Sequence, residues 1–343
     1  MPDVRTALQG GLVIPAHPLA LTARRRLDER RQRALTRYYV DAGAGGLAVG
    51  VHTTQFAIRE AGLLEPVLAL ARETGRTRTD RPLVLIAGVV GTTRQATTEA
   101  ALAARLGYDV ALVSLGGLDA WTVPQLVEHV RAVGEILPVM GFYLQPAVGG
   151  RDLPYAFWRA LLELDALVAI KVAPFDRYRT LDVVRAVRDA GRGGEVALYT
   201  GNDDHILLDL LTPFRLGDGP PLHFVGGLLG QWAVWTARAV ELHTECRAAL
   251  AAGTAPPPDL LTMAAQLTDA NAAIFDAAHG YRGCLPGIHE ILRRQRLLAG
   301  TWCLDRAETL SPGQSAEVDR VLRAYPHLTD DGWVAEHLDR WLA

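Results

Sequence analysis

The sequence predicts an α/β fold, a (β/α)8 TIM barrel with a C-terminal helical appendage, on three observations. Eight apolar runs alternate with eight helix-like segments between residues 11 and 251. Several runs are almost continuously apolar, as parallel strands covered on both faces are. No GxGxxG turn follows the first run, which counts against the runner-up, an open doubly wound sheet. The number and spacing of these segments suit the barrel.

In order, residues 11–19 (GLVIPAHPL) read as the first strand. A helix follows over 27–42, arginines outward, with Leu35, Tyr39 and Val40 among its apolar positions. The second strand is 46–52 (GLAVGVH) and its helix 63–72; the third is 82–91 (PLVLIAGVVG), with an alanine-rich helix over 93–106. The fourth is 110–114 (VALVS), with a helix over 122–136, and the fifth 138–143 (PVMGFY), with a helix over 153–162. The sixth is the apolar run around Lys171, followed by a helix over 181–190. The seventh is 196–200, with a short helix over 206–211, and the eighth 222–229, with a long helix over 232–251. The run Gly253-Thr-Ala-Pro-Pro-Pro then reads as a linker. Beyond it only helical periodicity appears, over 260–278, 288–298, 312–324 and 332–342, with Ser311-Pro312 as a cap and first-turn proline. The expected domains are therefore 1–252, the barrel with the active site, and 253–343, a helical domain.

Composition excludes several classes. Hydrophobic residues are 49% and charged residues 21%, an ordinary globular balance. A formal charge of −3 offers no basic field to nucleic acid. Cys246, Cys284 and Cys303 are odd in number and lack CxxC spacing, so neither a zinc site nor a disulfide framework is indicated. The stretch from Met1 to Thr6 lacks a signal-peptide layout, and no apolar run reaches the ~20 residues of a membrane span. A cytoplasmic protein without membrane partner, cofactor or bound metal is the expectation.

One residue stands out. Lys and Arg together number 35, and Lys171 is the only lysine among them. It lies in Leu167-Val-Ala-Ile-Lys-Val-Ala-Pro174, which reads as a buried strand. A guanidinium stays protonated at any working pH, whereas an amine can lose its proton and attack a carbonyl. Lys171 is therefore the candidate Schiff-base nucleophile; the plain alternative is a lysine snorkelling from a strand end.

Other groups stand at the strand ends where barrel active sites are built. They are Val51-His52-Thr53-Thr54-Gln55, Tyr143-Leu144-Gln145-Pro146 and Gly201-Asn202-Asp203-Asp204. With Ile170-Lys171, this pattern resembles the dihydrodipicolinate synthase and N-acetylneuraminate lyase family of class I aldolases. That family carries GTTGE after strand two, Y-N-x-P after strand five, a lysine near the end of strand six and a G-D-D-like turn after strand seven. The 28-residue spacing from Tyr143 to Lys171 fits it.

The resemblance implies a lyase or aldolase, or a dehydratase, acting on a 2-oxo acid such as pyruvate or a longer keto acid. Lys171 would form the Schiff base, Tyr143 would shuttle protons close to its nitrogen, and Thr53 would assist the relay. His52, Thr54, Gly201 and Asn202 would line the substrate pocket. A homo-oligomer, dimer or tetramer, is expected from the family and from the prevalence of closed symmetric assemblies.

The departures are specific. Either His52 or Thr53 takes the family's first threonine position. The synthase branch has a tyrosine after strand four, where this chain has Ser114-Leu115-Gly116-Gly117. That branch also has an arginine five residues after the strand-five tyrosine, where this chain has Val148, with Arg151 three residues on. Dihydrodipicolinate synthesis is thereby disfavoured. Two other classes compete: a metal-dependent barrel hydrolase built on His17, His52, His205 and Asp203, and a non-catalytic barrel that binds a small carbonyl compound.

Overall fold

The computed structural model of the chain describes residues 3–77 and 82–343. Met1 and Pro2, which begin the N-terminal stretch read above, lie outside the described residues.

The first element, α1 (Val4–Gln9), is absent from the sequence reading because six residues are too few to display a period. Then follow β1 (Val13–Pro15), α2 (Glu29–Ala42), β2 (Gly46–Val49), α3 (Leu64–Gly75), β3 (Val84–Val89), α4 (Thr93–Arg105), β4 (Val110–Val113) and α5 (Val123–Gly134). Next are β5 (Val139–Leu144), α6 (Tyr155–Leu161), β6 (Leu167–Ala173), α7 (Arg177–Asp189), β7 (Ala197–Thr200), α8 (Ile206–Leu211), β8 (Phe224–Leu229) and α9 (Thr236–Ala251). Four more helices complete the chain: α10 (Pro258–Ile274), α11 (Cys284–Arg294), α12 (Gln314–Ala324) and α13 (Asp331–Leu342).

The strand order is β1-β8-β7-β6-β5-β4-β3-β2. Its two end strands, β1 and β2, are linked by a parallel bridge between Ala16 and Ala48, where the His17 amide donates to the Ala48 carbonyl at 2.8 Å. This is the (β/α)8 topology expected, and the C-terminal helices are present. No helix among the described residues is long and apolar enough to cross a membrane.

Local chemistry sets the ends. Asp28 caps α2 by accepting from the Arg31 amide at 3.1 Å, and Gly43, at φ 107, closes it in the left-handed conformation that glycine adopts without penalty. Helix α7 starts four residues before the expected 181 because Asp176 accepts from the Arg179 amide at 3.0 Å. The expected cap at Ser311 is not formed. Gly313 precedes α12, and the Ser311 hydroxyl donates to Asp276 instead.

The chain packs as two compact units. One comprises residues 1–12 and 84–228. In it β3 to β8 pair in parallel, and α1 is fastened by Arg5, whose guanidinium donates to the carbonyls of Asp165 at 2.8 Å, Glu195 at 2.9 Å and Leu167 at 3.3 Å. The other comprises residues 13–83 and 229–343. In it α13 lies along α2: Tyr38 packs on Trp333 and Trp341, and Asp41 takes hydrogen bonds from Arg340 and the Trp341 indole. The Tyr38 hydroxyl donates to buried Asp330 at 2.8 Å.

Candidate active site

Strand register decides which side chains share a face, because successive residues point to opposite sides. Lys171 on β6 is paired with Phe142 on β5 and with Tyr199 on β7. The three therefore project from the same face. The other face is the one covered by helices: Thr200 donates to Asp209 of α8 at 2.7 Å, and Tyr143 lies against Trp158 of α6 with ring centroids 5.4 Å apart. Lys171, Phe142 and Tyr199 thus point into the barrel interior.

Lys171 is 7% exposed. Burial pulls its pKa down to about 8, and the Asp203 carboxylate acts in the opposite direction. The amine therefore loses its proton far more readily near neutrality than an ordinary lysine, although the protonated form still predominates there. Its Nζ lies 4.4 Å from the centroid of the Phe142 ring. Gly201 forms the wall beside it. A Cβ at that position would lie 2.7 Å from both Lys171 Cε and Ala173 Cβ, so any side chain would displace the lysine or the strand. Gly201 and Lys171 are therefore brought together.

The same register places Tyr143 on the other face from Lys171. It pairs with Val172, on the helix-facing side, and its hydroxyl accepts from the Leu153 amide at 3.3 Å. The tyrosine is held in the layer between strand and α6, on the opposite face from the lysine. The interior position next to Lys171 belongs to Phe142, which sequence reasoning passed over. The signal available was the period of two along PVMGFY, which requires knowing which residue of β5 pairs with Lys171.

Asn202 is engaged within the fold. Its Oδ1 accepts from the Phe175 amide at 3.1 Å, and its Nδ2 donates to Asp209 at 2.9 Å and to Thr180 at 3.4 Å. It is fully buried on the helix side, so its amide lines no substrate pocket. It joins the turn after β7 to the turn after β6, where Phe175 holds a φ of 52. Asp209 in turn receives Arg177 at 2.7 Å.

After β2, His52, Thr53 and Thr54 form a single 3-10 turn. The Thr54 hydroxyl donates to the His17 carbonyl at 2.7 Å and accepts from the Gly50 amide at 3.0 Å, so it is spent on the turn itself. The Thr53 hydroxyl makes a longer bond to the same carbonyl, at 3.4 Å. The His52 ring sits 5.9 Å from that of Phe56. Gln55 has a φ of 68, a conformation that favours glycine.

The remaining groups narrow the chemistry. Ser114 follows Leu112 on the interior face of β4, a second group not singled out beforehand, and its hydroxyl accepts from the Gly116 amide at 3.5 Å. Arg151 donates to the Leu118 carbonyl, and Val148 ends a one-turn helix. His17 is buried with Nε2 2.9 Å from the Thr36 hydroxyl and Nδ1 2.8 Å from the Pro18 carbonyl, and burial lowers its pKa to about 4. Among the described residues no three His, Cys, Asp or Glu side chains gather in a metal-ligating group.

Comparison with known proteins agrees with this fold. Residues 11–215 match the Dihydrodipicolinate synthetase family. The N-acetylneuraminate lyase of Citrobacter koseri is 26% identical over 242 residues, covering 68% of this chain and 78% of that protein. That of Salmonella typhimurium is 26% identical over 250 residues, covering 70% and 80%. Among solved structures, YagE from E. coli K12, a prophage protein of the dihydrodipicolinic acid synthase family in complex with pyruvate, superposes with a TM-score of 0.75 at 20% identity, covering 92% of this chain and 98% of that one. CdNal from Clostridium difficile, in complex with mannosamine, gives 0.73 at 15% identity, covering 92% and 99%. The chain belongs to the dihydrodipicolinate synthetase family of class I lyases.

Proposed function

We propose that this protein is a Schiff-base lyase or aldolase acting on a 2-oxo acid, pyruvate or a longer keto acid, through Lys171. The observation that carries the reading is the amine itself: a single lysine, buried in the barrel interior, with its pKa pulled to about 8. The neutral amine attacks the ketone carbon, water is lost, and an iminium forms. The iminium withdraws electrons, so an adjacent C–C bond can break or a proton can leave the neighbouring carbon. The pyruvate complex of YagE supports a keto acid as the ligand.

Thr53, with the longer bond of its pair, is the hydroxyl of its turn proposed to assist the relay, and His52 is proposed to touch substrate. Arg151 is engaged with the Leu118 carbonyl and Val148 cannot bind a carboxylate, which supports a substrate whose far end is less acidic than aspartate semialdehyde. A cytoplasmic homo-oligomer, dimer or tetramer, completes the proposal, and light scattering tests the assembly. The second reading, a barrel that binds a carbonyl compound without turning it over, is favoured by one observation: the aromatic residue beside Lys171 is Phe142, which has no hydroxyl to move protons.

Sodium borohydride with a panel of keto acids, read by intact mass and peptide mapping, tests the proposal. A reduced adduct on Lys171 is expected. No adduct with any keto acid rejects Schiff-base chemistry, and an adduct without turnover selects the binding-only reading.

A further inference from the structure

We propose that Phe142 is a catalytic residue, its ring face stabilising the iminium cation that forms on Lys171. The inference rests on the Schiff-base reading above.

Three observations lead to it. Phe142 and Lys171 are register partners on β5 and β6, so backbone pairing fixes their side chains next to each other. The ring centroid is 4.4 Å from Nζ, within the range where an aromatic quadrupole attracts a cation. The other interior positions flanking them on β5 and β6 are Met140, Leu144, Ala169 and Ala173, all apolar and buried, so solvent competes weakly for the charge. The carboxylate of Asp203, after β7, also acts on the amine.

The chemistry gives the ring a defined moment to act. In the carbinolamine the nitrogen is neutral and the former carbonyl oxygen is a hydroxyl. That hydroxyl takes a proton from a solvent acid and the C–O bond breaks. Its electron pair departs with water, and the nitrogen lone pair forms the C=N bond. A neutral nitrogen becomes cationic in this step, and the ring face is already against it. Such a preorganised group favours the cation without reorganising. A ring face can do this without a hydroxyl.

The test replaces Phe142 with phenylalanines bearing one, two and three ring fluorines, which change its size little and drain its π face progressively. The first readout is the pyruvate concentration that gives half-maximal borohydride trapping. It should rise with each fluorine, by about 2- to 30-fold across the series. The second is the titration of Lys171 itself, followed with 13Cε-lysine. One lysine gives one signal, and its midpoint should fall along the same series. A flat series in either readout overturns the role of Phe142. Failure of the unsubstituted protein to trap any keto acid would instead remove the Schiff-base reading, and this inference with it. Normal trapping that ignores fluorination defeats only the inference.

Discussion

Gly201 and Lys171 are in contact along the length of the lysine stem: a Cβ on Gly201 would lie 2.7 Å from Cε and 3.2 Å from Cγ. The position is closed to side chains by space. Gly201→Ala should therefore push the amine from its place or bend the strand end, since the new Cβ would also lie 2.7 Å from Ala173 Cβ. Overpacking of this kind costs roughly 1–3 kcal/mol. Thermal melting should show that loss, and borohydride trapping should slow. A variant with unchanged melting and trapping would mean that this wall yields freely.

Lys171→Met should make the protein more stable at pH 7. Burial holds the folded-state pKa at about 8, below the ordinary lysine value near ~10.4. Between those two values the unfolded chain binds more protons, so wild-type stability rises with pH across that window. Below about 8 both states are protonated and the cost of burying the charge is fully present. The variant escapes that cost, on the order of 1–3 kcal/mol. The difference should shrink as the pH is raised toward ~10.4. Denaturant melts of the two proteins at pH 7 and pH 10 check both the sign and the convergence.

Tyr143→Phe should leave the rate of adduct formation nearly unchanged, within about threefold, well short of the roughly 10²–10⁴-fold loss expected for a positioned acid–base group. Its hydroxyl meets the Leu153 amide on the helix side, and losing that bond costs about 1 kcal/mol of stability. A rate loss of a hundredfold or more in single-turnover trapping would place the hydroxyl back in the chemistry.

Asn202→Ala should destabilise the protein by about 1–3 kcal/mol, because buried Asp209 and the Phe175 amide both lose a partner. Phe175 would then hold its φ of 52 without that bond. Loss of order at both turns should broaden the Lys171 titration as well as lower the melting temperature. An unaltered melt would show that Thr180 and Arg177 hold the turns by themselves.

The strands were legible because a parallel strand covered on both faces writes itself as an uninterrupted apolar run, and Lys171 was legible because no other lysine competes with it. The Tyr143 placement was not. A run such as PVMGFY carries its period but not its phase. The phase is fixed by which residue pairs with Lys171, a long-range register that adjacent aromatic residues leave open. Asn202 misled for a related reason. Counting from Gly201 gives its neighbour's position but not its face, and an amide suits a buried three-way junction as well as a pocket. Helix α1 escaped because its support is tertiary: the Tyr199 hydroxyl donates to the Leu8 carbonyl at 2.7 Å, nearly two hundred positions away.

The Arg5 anchor has a temporal meaning. Its three carbonyl acceptors lie 160, 162 and 190 residues downstream. At a translation rate of about 5–20 residues per second, Arg5 is made roughly ten to forty seconds before its last acceptor exists. Until then the acceptors of Arg5 are incomplete, so its helix is synthesised well before it can be fully seated.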